Sequence, residues 1–175
     1  MKNILIVVDM QKDFVDGSLG TAEAQAIRPQ LCEKIKAHQG PIIATRDTHF
    51  DDYMQTREGR LLPVVHCVKN TAGWQIDSQV AEALQAKEDV LYVDKFSFGS
   101  PALPGIVSGL VGLDDFQIEL IGVCTDICVV SNALILKAAF SEKEILVDSS
   151  CCAGVTVAKH EAALETMRSC QIIVK

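Results

Sequence analysis

The sequence predicts an α/β fold: a three-layer sandwich with about six strands in a mostly parallel sheet and helices on both faces. Three observations predict it. Short apolar runs rich in β-branched residues alternate with helical stretches along the whole chain. The runs are continuous rather than alternately polar, as strands buried on both faces require. No internal repeat, low-complexity tract or change of composition interrupts the pattern, so residues 1–175 read as one domain.

The first strand is read at Ile4–Val8, the longest uninterrupted apolar run, and ends on Asp9. A helix follows at about Ala22–His38, then a strand at Pro41–Thr45. A helix at Asp77–Ala86 leads into a strand at Val90–Val93, and one at Ala102–Leu110 into a strand at Phe116–Val123. The last helices are Asp126–Phe140 and Thr156–Ser169, the latter with Thr156 as its N-cap. They alternate with strands at Glu144–Val147 and Gln171–Val174. Two irregular stretches remain, Asp47–Trp74 and Lys95–Pro101. A loop this long in a compact domain is uncommon and usually functional.

Composition narrows the function. The net charge is −7, with no basic stripe and only six Phe, two Tyr and one Trp, so phosphate-neutralising clusters for nucleic acid are missing. No apolar run approaches the roughly 20 residues of a membrane helix. The first residues carry one Lys and enter a strand directly, without the apolar core of a secretion signal. The seven cysteines are odd in number and lack the spacing of a disulfide framework; they read as reduced thiols of a cytoplasmic protein, most of them small buried hydrophobes. G-x-G-x-x-G, G-x-x-x-x-G-K-[ST] and G-x-S-x-G are all absent, since Gly105, Gly109 and Gly112 have the wrong spacing and position.

In such a sheet, ligands bind outside the carboxyl ends of the strands. Asp9 follows the first strand; Arg46, Asp47 and His49 the second; Asp94 and Lys95 the third; Cys124-Thr125-Asp126-Ile127-Cys128 the fourth. With Thr125 or Asp126 as N-cap, Cys128 falls in the first turn of a helix, where the dipole and a nearby Lys95 would lower its pKa and make it a nucleophile. The alternative is a buried structural cysteine. Asp9 reads as the general base for that thiol, or as the partner of Lys95 in an ion pair. Backbone amides around Cys124 and Cys128 offer an oxyanion hole, and Gly122 lets the chain turn tightly. Asp47, His49, Glu58 and His66 suit Zn²⁺, Fe²⁺ or Mn²⁺, the Asp-x-His pair projecting to one side of an extended segment. Solvated loop residues are the alternative reading.

Four segments resemble the isochorismatase-like cysteine hydrolases, nicotinamidases in particular: Val8-Asp9-Met10-Gln11-Lys12-Asp13-Phe14, Thr45-Arg46-Asp47-Thr48-His49, Asp94-Lys95-Phe96-Ser97-Phe98 and Gly122-Val123-Cys124-Thr125-Asp126-Ile127-Cys128-Val129. The resemblance spans essentially the whole chain. It implies an isochorismatase-like, Rossmann-like fold with Asp9, Lys95 and Cys128 as catalytic residues. It also implies a cis peptide at Val123–Cys124 and an oxyanion hole from the amides of Cys124 and Cys128. It implies a divalent metal, zinc first and iron or manganese as alternatives, on Asp47, His49, Glu58 and His66. Many members carry another His where this chain has Asp52, Tyr53 and Met54; Glu58 stands where some members place a Glu ligand. Asn70 occupies a usual Gly position. Phe14 and Trp74 would wall a flat aromatic substrate, or pack in the core. The implied reaction is hydrolysis of a small amide, nicotinamide to nicotinate and ammonia, through a thioester in a homo-oligomer. Other amidases and vinyl-ether hydrolases of the superfamily share the Asp-Lys-Cys trio, and a non-catalytic small-molecule-binding or redox-sensing module is the alternative of a different class.

Overall fold

The computed structural model describes residues 1–175. In chain order the elements are β1 (Lys2–Val8), α1 (Lys12–Val15), α2 (Ala22–Ala37), β2 (Ile42–Asp47), a 3-10 turn (Tyr53–Gln55), α3 (Arg57–Leu61), α4 (Ser78–Gln85), β3 (Val90–Lys95), α5 (Leu103–Val111), β4 (Phe116–Val123), a π-helical turn (Thr125–Val129), α6 (Val130–Ala139), β5 (Ile145–Ala153), α7 (Val157–Ser169) and β6 (Ile173–Val174). The six strands form one sheet in the order β3-β2-β1-β4-β5-β6, and every pairing is parallel. No helix is long and apolar enough to cross a membrane.

The period-two geometry of a strand explains the layering. On β1, Ile4, Ile6 and Val8 face one core with Val107, Ala133, Leu136 and Leu164 of α5, α6 and α7. Leu5 and Val7 face the other, with Ala24, Leu31 and Ile35 of α2 and Val80 and Leu84 of α4. All five of these β1 side chains are fully buried, which is why the strand reads as an unbroken apolar run. Side-chain oxygens cap four helices: Thr21 accepts from the Ala24 amide, Thr56 from that of Gly59, Asp77 from those of Gln79 and Val80, and Thr156 from that of Lys159.

The chain lays β2 and β3 on one side of β1, then crosses to lay β4, β5 and β6 on the other. The carboxyl ends of β1 and β4 therefore flank the point where the strand order reverses, the crevice in which such sheets bind ligands. Asp9 and Cys124 stand immediately after these two ends.

Three elements depart from the sequence reading. β5 runs to Ala153 rather than ending at Val147: β4 advances from Leu120 to Gly122 while β5 advances from Val147 to Cys152, so the polar Asp148-Ser149-Ser150 is absorbed in a bulge. The stretch Asp47–Trp74 is not irregular throughout, since it holds the 3-10 turn and α3. The helix expected from Asp126 is a π-helical turn followed by α6. Neither Thr125 nor Asp126 caps it, and Val129 donates to the carbonyl of Cys124 five residues earlier.

Gly122 lies against β1 with φ +119°, and a Cβ there would stand 2.2 Å from the Val8 carbonyl oxygen. Gly122→Ala is expected to cost about 3 kcal/mol or more in a denaturant titration. In the bulge, Lys34 donates to Asp148 and, at 2.8 Å, to Glu119. Burial raises the Asp148 pKa, but the bonds from Lys34 and Ser150 outweigh it and hold the carboxyl below its ordinary value. A lowered carboxylate pKa stabilises the fold above the unfolded value of ~4 and loses that contribution as pH falls through the folded value. Lys34→Ala is thus expected to destabilise by about 1 kcal/mol at pH 7. The difference from the parent should shrink toward zero below about pH 4; a difference independent of pH would contradict the assignment.

Candidate active site

The centre of the site is an ammonium with no exposure to solvent. Lys95 closes β3 beside Asp47 of β2, its register partner. Its Nζ lies 2.7 Å from Asp9 Oδ2, 3.0 Å from Asp47 Oδ1, 3.2 Å from the Ser97 carbonyl oxygen and 3.4 Å from Cys128 Sγ. Asp9 Oδ2 is thus the acceptor nearest this ammonium, and Asp47, Ser97 and Cys128 lie within hydrogen-bond reach of the same Nζ. The other oxygen, Oδ1, accepts from Thr45 Oγ1 at 2.7 Å, and the Asp9 amide donates back to the same hydroxyl. Asp9 adopts the left-handed conformation, φ 49°, that turns its carboxylate over the end of the sheet. Asp9, Lys95 and Cys128 are thus brought into one buried cluster.

Burial sets the protonation states. For Cys128, desolvation and then the Asp9 charge push the thiol well above its ordinary pKa, with Lys95 opposing. The lowered pKa expected from a helix start is therefore corrected: a thiol this deeply enclosed stays protonated. Asp9 is also raised, first by burial, with Lys95 opposing. Lys95 is raised well above the ordinary lysine value, because its anionic neighbours outweigh desolvation. The resting cluster sets a neutral thiol beside a carboxylate, both against the Lys95 ammonium, which is the donor and acceptor pair a proton transfer needs.

The second carboxylate of the cluster has two faces. Asp47 Oδ1 meets Lys95, while Oδ2 lies 3.1 Å from His49 Nε2 and 3.8 Å from His66 Nε2. Glu58 Oε1 is 3.7 Å from both imidazole nitrogens. The four ligand atoms all lie within 4.8 Å of one another. Bonds of about 2.1 Å to a tetrahedral ion put neighbouring ligand atoms about 3.4 Å apart, so this donor set fits a divalent metal. His66 Nδ1 meets the Val64 carbonyl oxygen at 2.8 Å, which leaves Nε2 free to coordinate. Thr56 caps α3 and so orients Glu58 in its first turn. Tyr53, buried where many members of the resembled family place a ligating His, instead puts its ring edge-on to both imidazoles, at 4.7 and 5.0 Å.

A cavity of about 280 Å³ joins the two groups. Cys124, Cys128, Asp47, Glu58 and His66 line it, with Phe14, Phe98, Ile127 and Val155 as apolar wall. Phe14 therefore lies where a substrate wall was expected. Trp74 does not: it is 5% exposed, donates through Nε1 to Thr48, and stacks under the Arg46 guanidinium at 4.0 Å. Arg46 and Asp94 pair with each other outside the cavity. The peptide Val123–Cys124 is cis.

Sequence reasoning missed three buried amides and hydroxyls that set the geometry. Gln11 donates to the carbonyls of Asp47 and Trp74 and accepts from the Asp47 amide, tying the end of β2 to the segment after β1. Asn132 donates to the carbonyls of Cys128 and Phe98 and accepts from the Ser100 amide, so the loop after β3 is fastened to the thiol's own turn. Thr45 holds Asp9. Gln11 and Thr45 stand inside two of the motif segments, and a polar residue beside a buried strand end was the available signal.

A nicotinamidase/pyrazinamidase of Mycobacterium tuberculosis is 29% identical over 190 aligned positions, spanning 96% of this chain and 95% of that protein. The crystal structure of a pyrazinamidase of Pyrococcus horikoshii in complex with zinc superposes with a TM-score of 0.83 at 29% identity, covering 100% of this chain and 99% of that one. That of a pyrazinamidase/nicotinamidase from Streptococcus mutans gives 0.84 at 26% identity, covering 99% and 100%. The model of the Isochorismatase domain matches residues 3–175, and with the strand order, the buried cluster and the metal-ligating group in place, the chain belongs to the Isochorismatase domain family.

Proposed function

We propose that this protein is a cysteine amidohydrolase that converts nicotinamide to nicotinate and ammonia. The observation that carries the reading is the contact of the Lys95 ammonium with both Asp9 and Cys128, beside a cavity that Cys128 shares with Asp47, Glu58 and His66 of the Asp47-His49-Glu58-His66 group. The four ligands favour nicotinamidase over relatives without a metal, because a metal-free amidase has no use for two imidazoles and two carboxylates at this spacing.

The carboxamide carbon is placed beside Cys128 Sγ. Asp9, paired with Lys95 beside the sulfur, takes the thiol proton as sulfur attacks. The oxygen of the tetrahedral adduct rests on the backbone amides of Cys124 and Cys128. Asp9 returns the proton to nitrogen, the C–N bond breaks and ammonia leaves a thioester. Water attacks that thioester as Asp9 accepts one of its protons; the C–S bond breaks, Asp9 passes that proton to sulfur to restore the thiol, and the acid leaves and ionises to nicotinate. Lys95 keeps Asp9 and Cys128 in register and offsets negative charge at both. Asp47, His49, Glu58 and His66 would hold a divalent metal, which would supply Lewis acidity toward a ring nitrogen, and Phe14 of the cavity wall would pack against the ring. All seven cysteines are free, as suits a reducing cytoplasm.

Ammonia release from a panel of small amides tests the reading. Cys128→Ala and Asp9→Asn are each expected to lower kcat by about a thousandfold or more with the circular dichroism spectrum unchanged; undiminished turnover in either would overturn the assignment. Purified protein is expected to carry one metal ion per chain. Glu58→Ala should lose that ion to chelators at concentrations at least about tenfold below those the parent requires, and equal retention would remove Glu58 from the ligand set.

A further inference from the structure

The corner between β5 and α7 takes no part in the mechanism above, yet it touches the nucleophile's turn at several points. Thr125 is fully buried, and its Oγ1 shares a hydrogen bond of 2.8 Å with Nδ1 of His160, on the first turns of α7. The next residue, Asp126, accepts through Oδ1 from the Val155 amide at 2.9 Å. Between them lies Gly154, where a Cβ would stand 2.8 Å from Asp126 Oδ1 and 2.8 Å from the His160 amide nitrogen, so the corner is closed against the turn. Val155 and Lys159, flanking these contacts, line the catalytic cavity itself.

The position of these bonds gives them their meaning. Thr125 begins the π-helical turn that ends at Val129 and carries Cys128; on its other side is Cys124, whose amide faces the site as an oxyanion donor in the reading above. Neither Thr125 nor Asp126 caps the turn with its side chain. Their polar groups reach outward to β5 and α7 instead. The turn's backbone hydrogen bonds are irregular, Val129 to the Cys124 carbonyl five residues back and Ile127 to the same carbonyl three residues back, in place of an α-helical ladder. External ties are what remain to fix it.

We propose that His160 is a positioning residue of the reaction: through Thr125 Oγ1 it fixes the turn that carries the Cys128 sulfur and the Cys124 amide. The proposal rests on Cys128 being the nucleophile. Displacements of about 1 Å at a reacting atom cost on the order of a hundredfold, so loss of this bond is read in kcat rather than in substrate binding.

The experiment compares His160→Leu, His160→Asn, Thr125→Val and Thr125→Ser, following nicotinamide hydrolysis and, separately, the rate at which iodoacetamide modifies Cys128. His160→Leu and Thr125→Val are each expected to lower kcat about tenfold or more while KM changes less than about threefold. Thr125→Ser, which keeps the hydroxyl, and His160→Asn, which keeps a polar atom near the Nδ1 position, should recover most of that loss. The double variant should be no worse than either single one, since one bond is lost in all three. Additive losses, failure of the conservative variants to rescue, a loss confined to KM, or unchanged kcat would each overturn the proposal. So would loss of folding in both His160→Leu and Thr125→Val, which would make the bond a requirement of the fold. The alkylation rate separates the two readings: if nicotinamide is not the substrate, the parent releases no ammonia, but the variants must still alter Cys128 modification. Alkylation identical across all four then counts against His160.

Discussion

A single buried ammonium organises this protein. Removing Lys95 from water is costly, and a lysine with no exposed side-chain surface persists only where anionic and polar groups surround it. Here they come from four parts of the chain: Asp9 after β1, Asp47 at the end of β2, Ser97 after β3 and Cys128 after β4. The strand order β3-β2-β1-β4 brings these ends side by side, and the lysine reaches from the sheet's edge to its reversal point. One ammonium sits against both the carboxylate of Asp9 and the sulfur of Cys128, at 2.7 and 3.4 Å. That shared charge holds a proton acceptor beside a thiol, in the arrangement the proposed chemistry uses.

Asp47 links this cluster to the metal-ligating group. One carboxylate oxygen meets the ammonium and the other faces two imidazoles, so one residue belongs to both groups. The long excursion after β2 exists to complete that second group. It is short of regular structure but not of order: His49 and Val68 form a parallel bridge, Asp13 accepts from the Cys67 amide, and Thr56 caps the helix that presents Glu58.

Much of this was legible in the sequence because the strands are buried on both faces, and continuous β-branched runs announce such strands. The residues that follow their carboxyl ends then fall together along one edge of the sheet. What was illegible has long-range causes. Asp148-Ser149-Ser150 looks like the end of a strand, and partners distant in sequence make a bulge acceptable there: the Lys34 ammonium for Asp148, the Lys175 carbonyl for Ser149 and the Gln30 amide for Ser150. Thr125 and Asp126 look like helix caps, but His160 and Val155 claim their side chains. Trp74 looks like a substrate wall, yet Arg46 and Thr48 hold it on the far side of β2's end. The Cys128 thiol looks activated from its place in the first turn of a helix near Lys95, but burial and the Asp9 charge outweigh the Lys95 ammonium.

The account's central claim is that this enclosed sulfur does covalent work beside its base. The most direct measurement is active-site titration with a small alkylating agent, with and without nicotinamide, reading the modified residue by mass spectrometry and ammonia release on the same sample. The account predicts that one alkyl group on Cys128 abolishes turnover and that nicotinamide protects against it. Full ammonia release from protein quantitatively alkylated at Cys128 would contradict it.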